Sequence, residues 1–366
     1  MSPTPLWDER DRALMARALD LAQRGLYSTR PNPVVGCVIE RDGQVEGEGW
    51  HERAGGPHAE VFALRQAGDR ARGATAYVTL EPCAHHGRTP PCAEALVDAG
   101  VARVVAAMQD PNPQVAGRGL ARLAAAGIAV DCGLLETQAR ELNIGFVSRM
   151  TRARPWLRMK LAASLDGKSA LENGVSQWIT GAQARRDGHR WRARACAILT
   201  GVGTVRADDP QLNVRDVDTS RQPLKVVVDS RLELPLTSRV LDGGELLVAC
   251  ASDDVSRAAA LRERGAQIVR LPSREGRVDL PALVAELARR GVNEVHVEGG
   301  GRLNGALLAA GLVDELLLYL APCLIGDAAR GLFDLPALKS LNDKRRLQIN
   351  DVRMVGADLR ILARFA

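Results

Sequence analysis

His58, Glu60, Cys83 and Cys92 have the types and the spacing to bind one metal ion and to move a proton beside it. One imidazole and two thiolates fill three places around tetrahedral Zn²⁺ and leave the fourth for water. A water bound there ionises near pH ~7, so hydroxide becomes available at neutral pH. Glu60 is no ligand in this reading. Its carboxylate takes the water's proton and then supplies protons to a ring nitrogen and a departing amine, the chemistry of hydrolytic deamination. Pro57 and Pro91 stand where prolines open helices, which puts His58 and Glu60 in the first turns of one helix and Cys92 at the start of another. Residues two apart on a helix point in different directions, so Glu60 must reach back toward the metal. Cys83 follows Tyr77-Val78-Thr79-Leu80, a short expected strand.

The order H-x-E, then P-C and a second cysteine, is the pattern of zinc nucleobase deaminases. This chain departs from it in one respect: eight residues, Ala84 to Pro91, separate the two cysteines. A zinc that only ties a loop, or two unrelated thiols, is the alternative. A second group of turns lies further along. Val295-His296-Val297-Glu298 reads as a strand feeding Gly299-Gly300-Gly301, with a helix from Leu303 onward. Glycines let a backbone approach a pyrophosphate, and free helix N–H groups then face the anion. Asn304 holds the place of the last glycine of G-x-G-x-x-G, so the turn is not an ordinary dinucleotide fingerprint. Three more turns follow expected strands: Lys160 to Lys168, Gly201 to Pro210, and Val228-Asp229-Ser230-Arg231. Ser230 and Arg231 suit a ribose 2′-phosphate, whereas Asp229 suits a free 2′-hydroxyl.

The elements that must carry these residues alternate. Helices are expected over 8–24, 58–66, 91–99, 119–126 and 136–145. Strands are expected over 34–39, 44–49, 77–80, 101–107 and 128–130, which is an α/β layer pattern. The basic, proline-bearing segment 148–156 reads as a linker, placing a boundary near residue 150 and giving domains 1–150 and 151–366. Beyond it strands are expected near 157–162, 196–200, 225–229, 246–250, 267–271, 294–298 and 314–321, again with helices between, and 215–221 reads as a surface loop. At 366 residues and 46% apolar, the chain can bury two cores. No apolar run approaches the ~20 residues of a membrane span, and the start lacks a secretory pattern, so a cytoplasmic location is expected. A net charge of +5, with four Phe, five Trp and three Tyr, offers no basic-aromatic weave for nucleic acid. Seven cysteines are an odd, scattered set that fits free thiols in a reducing compartment. Cys37, Cys132, Cys196, Cys250 and Cys323 lie in apolar runs and read as small buried hydrophobes.

The fourteen residues Thr79 to Cys92, with Pro31-Asn32-Pro33-Val34-Val35-Gly36 and His58-Ala59-Glu60, closely resemble the bifunctional deaminase/reductase family of bacterial riboflavin biosynthesis, over nearly the whole chain. The resemblance implies a cytidine-deaminase-like three-layer α/β/α domain followed by a dihydrofolate-reductase-like α/β domain. It implies hydrolysis of the exocyclic amine of 2,5-diamino-6-ribosylamino-4(3H)-pyrimidinone 5′-phosphate, with His58, Cys83 and Cys92 on zinc and Glu60 as proton carrier. Asn32 would hydrogen-bond the pyrimidine and Arg88 its phosphate, while His51, His85 and His86 receive no assigned role. In the second domain the resemblance implies NADPH held by Ala162, Trp178, Thr204, Asp208, Ser230, Gly300, Gly301, Arg302 and Leu303. Ser176, Arg192, Leu212, Arg215 and Glu298 would hold 5-amino-6-(5-phosphoribosylamino)uracil while hydride reaches C1′ and opens the ribose. Core packing is the competing reading for Trp178 and Leu212. Asp208, Glu298 and Lys160 are candidates to assist ring opening or steer charge. The partners so implied are phosphorylated pyrimidines, with neither nucleic acid nor membrane, and a homo-oligomer joined through the second domains. A tRNA or free-nucleoside deaminase fused to an unrelated domain is the rival enzyme, and a zinc-tied nucleotide sensor the non-enzymatic alternative.

Overall fold

The computed structural model describes residues 7–84, 91–113 and 115–365. It divides into two compact units, Met1–Ala153 and Arg154–Ala366.

The first unit runs α1 (Glu9–Gln23), β1 (Gly36–Arg41), β2 (Gln44–Trp50), α2 (Ala59–Ala67), β3 (Thr75–Val78), α3 (Cys92–Asp98), β4 (Arg103–Ala106), α4 (Arg118–Ala125), β5 (Ala129–Cys132), α5 (Glu136–Leu142) and α6 (Ile144–Arg152). Its sheet has the order β2-β1-β3-β4-β5, antiparallel across β2, β1 and β3 and parallel from β3 to β5. Alternation along the strands divides the core into two layers. Cys37, Ile39, Ala76, Val78 and Val104 pack with Ala59, Ala63, Leu96 and Leu123 from α2, α3 and α4. Val38, Tyr77 and Val105 face the other way, against Met15, Ala18, Ala139 and Phe146 from α1, α5 and α6. The result is a sheet between two helical layers.

Small residues bring α2 close to this sheet. A Cβ on Gly47 would stand 2.1 Å from the Ala63 carbonyl oxygen, and one on Gly49 would stand 2.3 Å from that of Ala59. Both distances are too short for any side chain, so only glycine allows α2, with the residues at its start, to lie this close to β2.

The second unit contains β6 (Trp156–Ser164), β7 (Lys168–Ala170), α7 (Ala182–Arg194), β8 (Ala197–Gly201), α8 (Val202–Asp208), β9 (Leu224–Val228), β10 (Leu246–Cys250), α9 (Val255–Glu263), β11 (Ala266–Arg270), α10 (Leu280–Arg289), β12 (Glu294–Val297), α11 (Gly301–Ala309), β13 (Glu315–Ala321), β14 (Arg330–Gly331), β15 (Leu347–Val355) and β16 (Asp358–Phe365). The large sheet has the order β11-β10-β9-β8-β12-β6-β13-β16-β15. It is parallel from β11 to β13, and β16 and β15 close it antiparallel. The chain winds outward from β6 through β8 to β11, then returns to insert β12 between β8 and β6. Such a reversal opens a crevice at the carboxyl ends of the strands. One face of β6, β8 and β12 buries Leu157, Met159, Leu199, Val295 and Val297 against α10 and α11. The alternate positions on β6 and β12 are charged and lie under α7: Arg158 contacts Glu294 and Glu315, and its guanidinium stacks 4.4 Å from the Trp191 ring centre.

Three expectations are corrected, and one hairpin was not expected. The segment expected as a linker from residue 148 is helical to Arg152, because Phe146 and Ser148 of α6 are buried against the first unit. His58 precedes α2 in extended conformation rather than lying within it. Cys132 and Cys323 are exposed, since Cys132 ends an edge strand and Cys323 follows β13. The hairpin of β15 and β16 had no sequence-based counterpart, because β15 is exposed along most of its length and lacks a buried stripe.

Candidate functional site

In the first unit the structure brings His58, Cys83 and Cys92 together, with one ligand atom from each lying within 4.8 Å of the others. His58 Nδ1 is 3.2 Å from Cys92 Sγ and 3.7 Å from Cys83 Sγ. The Cys92 backbone N–H donates to Cys83 Sγ at 3.3 Å. Hydrogen bonding from Cys92 and His58 outweighs burial and pulls the Cys83 thiol below its ordinary range, toward the thiolate that a metal requires. The donor set, one imidazole and two sulfurs, fits zinc with one place open.

Glu60 is buried, and among the described residues its Oε2 has no hydrogen-bond partner. Burial raises its proton affinity. Because His58 is extended and Glu60 helical, the two-residue spacing no longer sends them apart as it would within one helix. A buried carboxylate with one oxygen unpartnered, beside a metal-ligand set, is equipped to accept and return a proton.

His51 and Asn32 complete the described surroundings. The His51 ring meets that of His58 edge-on, with centres 5.4 Å apart. His51 Nδ1 donates to the Pro57 carbonyl at 3.0 Å, which leaves Nε2 to accept from Asn32 Nδ2 at 3.2 Å. Burial lowers the His51 pKa and favours this neutral form. The Asn32 carbonyl oxygen and second amide hydrogen are left for a ring edge. Arg88, His85 and His86 lie outside the described residues.

Glu81 carries no sequence-based role, yet it anchors the cysteine loop. Its Oε2 accepts from the backbone N–H of Asp110 (3.0 Å) and Gly117 (2.9 Å), and its Oε1 from Gly119 (2.8 Å) and Leu120 (3.4 Å). The carboxylate ties the segment 110–120 to the turn that presents Cys83.

In the second unit the glycine turn sits at the carboxyl edge of the sheet. A Cβ on Gly299 would stand 2.7 Å from Asn304 Oδ1, and one on Gly305 would stand 2.0 Å from the Asp334 carbonyl oxygen. Asn304 Nδ2 donates to the carbonyls of Gly299 (3.0 Å) and Leu332 (3.3 Å), so the residue that breaks the dinucleotide pattern fastens the turn. Thr204 Oγ1 stands 3.6 Å from the Cβ position of Gly300, and Leu303 Cδ2 stands 3.5 Å from that of Gly201. Thr204, Gly300 and Leu303 thus gather where β8 and β12 end.

Beside them Glu298 is gripped by Arg192, with Nε at 2.5 Å and Nη2 at 2.7 Å from its two oxygens. Arg192 Nη1 donates to the Asn213 carbonyl at 3.0 Å. Three N–H groups of this guanidinium are therefore committed to protein partners, whereas Arg215 is exposed and, among the described residues, its Nη1 bonds the Gln211 and Asn213 side chains. Lys160 is half-buried beside Glu298, and desolvation lowers its pKa. Arg192 holds Glu298 well below the usual carboxylate range against the opposing effect of burial. Burial raises the Asp208 pKa, while Ser176 stands near that carboxylate and favours its anion. Ala162 shares a β6 face with Lys160, and Arg302 is exposed on α11. Ser230 follows β9, where its Oγ accepts from the Val278 N–H at 3.1 Å. Trp178 is 69% exposed under the Arg185 guanidinium, so it is not core. Leu212 is buried in the cluster of Ile198, Val205 and Val227, so packing accounts for it.

The model for the cytidine and deoxycytidylate deaminase zinc-binding region matches residues 8–108, and that for the RibD C-terminal domain matches residues 155–361. The riboflavin biosynthesis protein RibD of Escherichia coli K12 is 52% identical over 95% of this chain and 98% of its own, and that of Haemophilus influenzae is 46% identical over 97% of both. Among solved structures, Acinetobacter baumannii RibD superposes with a TM-score of 0.91 at 45% identity, covering 98% of this chain and 99% of its own. A diaminohydroxyphosphoribosylaminopyrimidine deaminase/5-amino-6-(5-phosphoribosylamino)uracil reductase from Thermotoga maritima reaches 0.87 at 31% identity, covering 97% and 99%. A zinc-binding deaminase fold and a reductase fold, in one chain and in this order, are what those relatives share with it: the chain belongs to the RibD family of bifunctional riboflavin-biosynthesis enzymes.

Proposed function

We propose that the first unit deaminates 2,5-diamino-6-ribosylamino-4(3H)-pyrimidinone 5′-phosphate and that the second reduces the resulting 5-amino-6-(5-phosphoribosylamino)uracil with NADPH. The observation that carries the first step is the imidazole and two sulfurs within 4.8 Å of one another beside a buried carboxylate whose Oε2 has no partner among the described residues. His58, Cys83 and Cys92 hold zinc. When bound, the ion supplies a water acidic enough to attack at neutral pH. Glu60 takes that water's proton, delivers a proton to the ring nitrogen, and then protonates the amine that leaves as ammonia. Asn32, oriented by His51, holds the pyrimidine edge, and Arg88 meets the phosphate.

In the second unit Thr204, Asp208, Ser230, Ala162, Trp178 and the turn Gly300-Gly301-Arg302-Leu303 hold the dinucleotide. When bound, NADPH supplies the hydride. Ser176, Arg215 and the Arg192–Glu298 pair position the ribose so that C1′ is within reach, and exposed Arg215 is the better placed arginine for the phosphate. Leu212 supports that surface from beneath. The edge strand β15 exposes Leu347, Ile349, Val352 and Met354, which supports a homo-oligomer joined through this unit. All seven cysteines are unpaired, which fits a reducing cytoplasm, and among the described residues no helix is long and apolar enough to cross a membrane.

The deciding experiment supplies the pyrimidinone phosphate, cytidine and an RNA stem-loop in parallel while ammonia and NADPH absorbance are followed. Ammonia from the pyrimidinone phosphate, followed by NADPH oxidation, is the expected result. Release from cytidine or RNA alone would reject it, and equal use of NADH would reject the cofactor assignment.

A further inference from the structure

A buried imidazole ordinarily finds a partner for at least one ring nitrogen. His296 has none: it lies fully buried on β12, and among the described residues no aligned hydrogen bond reaches Nδ1 or Nε2. Its neighbours along the strand, Val295 and Val297, point into the apolar core, while its own face carries Glu294 and Glu298. Arg158 stands beside it in register on β6, Ile198 stands opposite on β8, and Arg192 approaches from α7. An apolar residue would fill this position without leaving two polar atoms unpaired.

Glu298 lies beside it, with Oε1 3.2 Å from His296 Nε2 but without the alignment of a hydrogen bond. Both carboxylate oxygens already accept from Arg192. Lys160 on β6, His189 on α7 and Tyr319 on β13 are the other titratable groups within electrostatic reach of that carboxylate. Arg192 takes one acceptor site on each Glu298 oxygen, and a substrate group that draws the guanidinium toward itself weakens at least one of those two bonds. The freed oxygen then needs another donor. At 3.2 Å, His296 Nε2 is already within donor distance of Oε1.

We propose that His296 is a positioning residue of the reductase site, the donor that takes over Glu298 Oε1 when substrate opens the Arg192–Glu298 pair. The inference rests on the reading of Glu298 as a substrate contact. The imidazole acts in its neutral form, with the proton on Nε2, and burial favours that form. It transfers no proton. Its role is to keep Glu298 ionised and in one orientation while Arg192 is shared with the substrate.

The test uses the full chain with His296→Leu, His296→Gln, His296→Asn and Glu298→Gln. It reads KM for the deaminated pyrimidine phosphate, NADPH binding by fluorescence, and the acid limb of kcat/KM. His296→Leu is expected to bind NADPH normally, to raise KM by about tenfold or more, and to move the acid limb to higher pH, because Glu298 loses a donor that favours its anion. His296→Gln, with an amide N–H at similar reach, is expected to restore most of KM, and the shorter Asn is not. Wild-type KM and acid limb in a His296→Leu protein that binds NADPH would overturn the inference. If His296→Leu cannot bind NADPH, the Gln and Asn variants decide, and equal KM in the two overturns it. Unchanged KM in Glu298→Gln would instead remove the reading beneath it, whereas a raised KM there with wild-type behaviour in His296→Leu removes this inference alone.

Discussion

Replacing Glu81 by Gln keeps the shape of the side chain and removes one of the two acceptor oxygens that fasten the cysteine loop. Each oxygen accepts two backbone N–H groups, and three of the four contacts are between 2.8 and 3.0 Å. Whichever oxygen becomes an amide, at least one short bond to a charged acceptor is lost, and an NH₂ then faces two N–H donors. A hydrogen bond to a charged group contributes about 1.5–3 kcal/mol, so the loss is about 3 kcal/mol once the opposed donors are included. That is a large fraction of a domain stability of about 5–15 kcal/mol. For a unit of this size it corresponds to a fall of about 6–12 °C in the midpoint of its thermal transition. Scanning calorimetry of the full chain measures that shift, and a chromogenic chelator follows zinc release in the same samples. The expected outcome is a lowered midpoint for the first unit, faster loss of zinc, and unchanged reductase kinetics. A variant with wild-type midpoint and zinc retention would refute the anchoring role of Glu81.

Glu60→Gln is expected to retain zinc and fold while ammonia release falls by about 10²–10⁴-fold, the usual contribution of general acid–base catalysis; wild-type turnover would remove Glu60 from the mechanism. Gly49→Ala puts a methyl 2.3 Å from the Ala59 carbonyl, so it should push α2 off the sheet and abolish deamination, measured with the reductase rate as internal control. Gly305→Ala meets the Asp334 carbonyl at 2.0 Å and should lower the midpoint of the second unit and weaken NADPH binding by fluorescence titration. Arg192→Lys loses the two-pronged grip on Glu298 and is expected to raise the reductase KM with little effect on deamination, as read in paired assays.

Much of this was legible in the residues because the underlying signals are local. Apart from the short β7, the strands from β1 to β13 were visible as runs bounded by glycine, aspartate or proline, and the metal set was visible as residue types whose chemistry is narrow. What stayed hidden depends on contacts between distant segments. Glu81 looks like an ordinary polar residue before Pro82 until the segment 110–120 folds over it. The ion pair of Arg192 and Glu298 joins residues 106 positions apart, so two apparent phosphate or substrate contacts proved to be bound to one another. The α6 helix was masked by its basic composition and the nearby Pro155, although its apolar side is buried. The exposed β15 lacks the one-sided pattern that marks a half-buried strand. His58 was read as helical because a proline precedes it. It is instead the extended N-cap residue of α2, with its ring 3.2 Å from Cys92 Sγ.

The zinc K-edge absorption spectrum of the purified chain tests the central claim most directly. Two sulfurs at about 2.3 Å and two nitrogen or oxygen neighbours at about 2.0 Å are the expected first shell, with one sulfur lost in Cys92→Ser. A four-sulfur shell, an all-oxygen shell, or a deaminating protein that contains no zinc would contradict it.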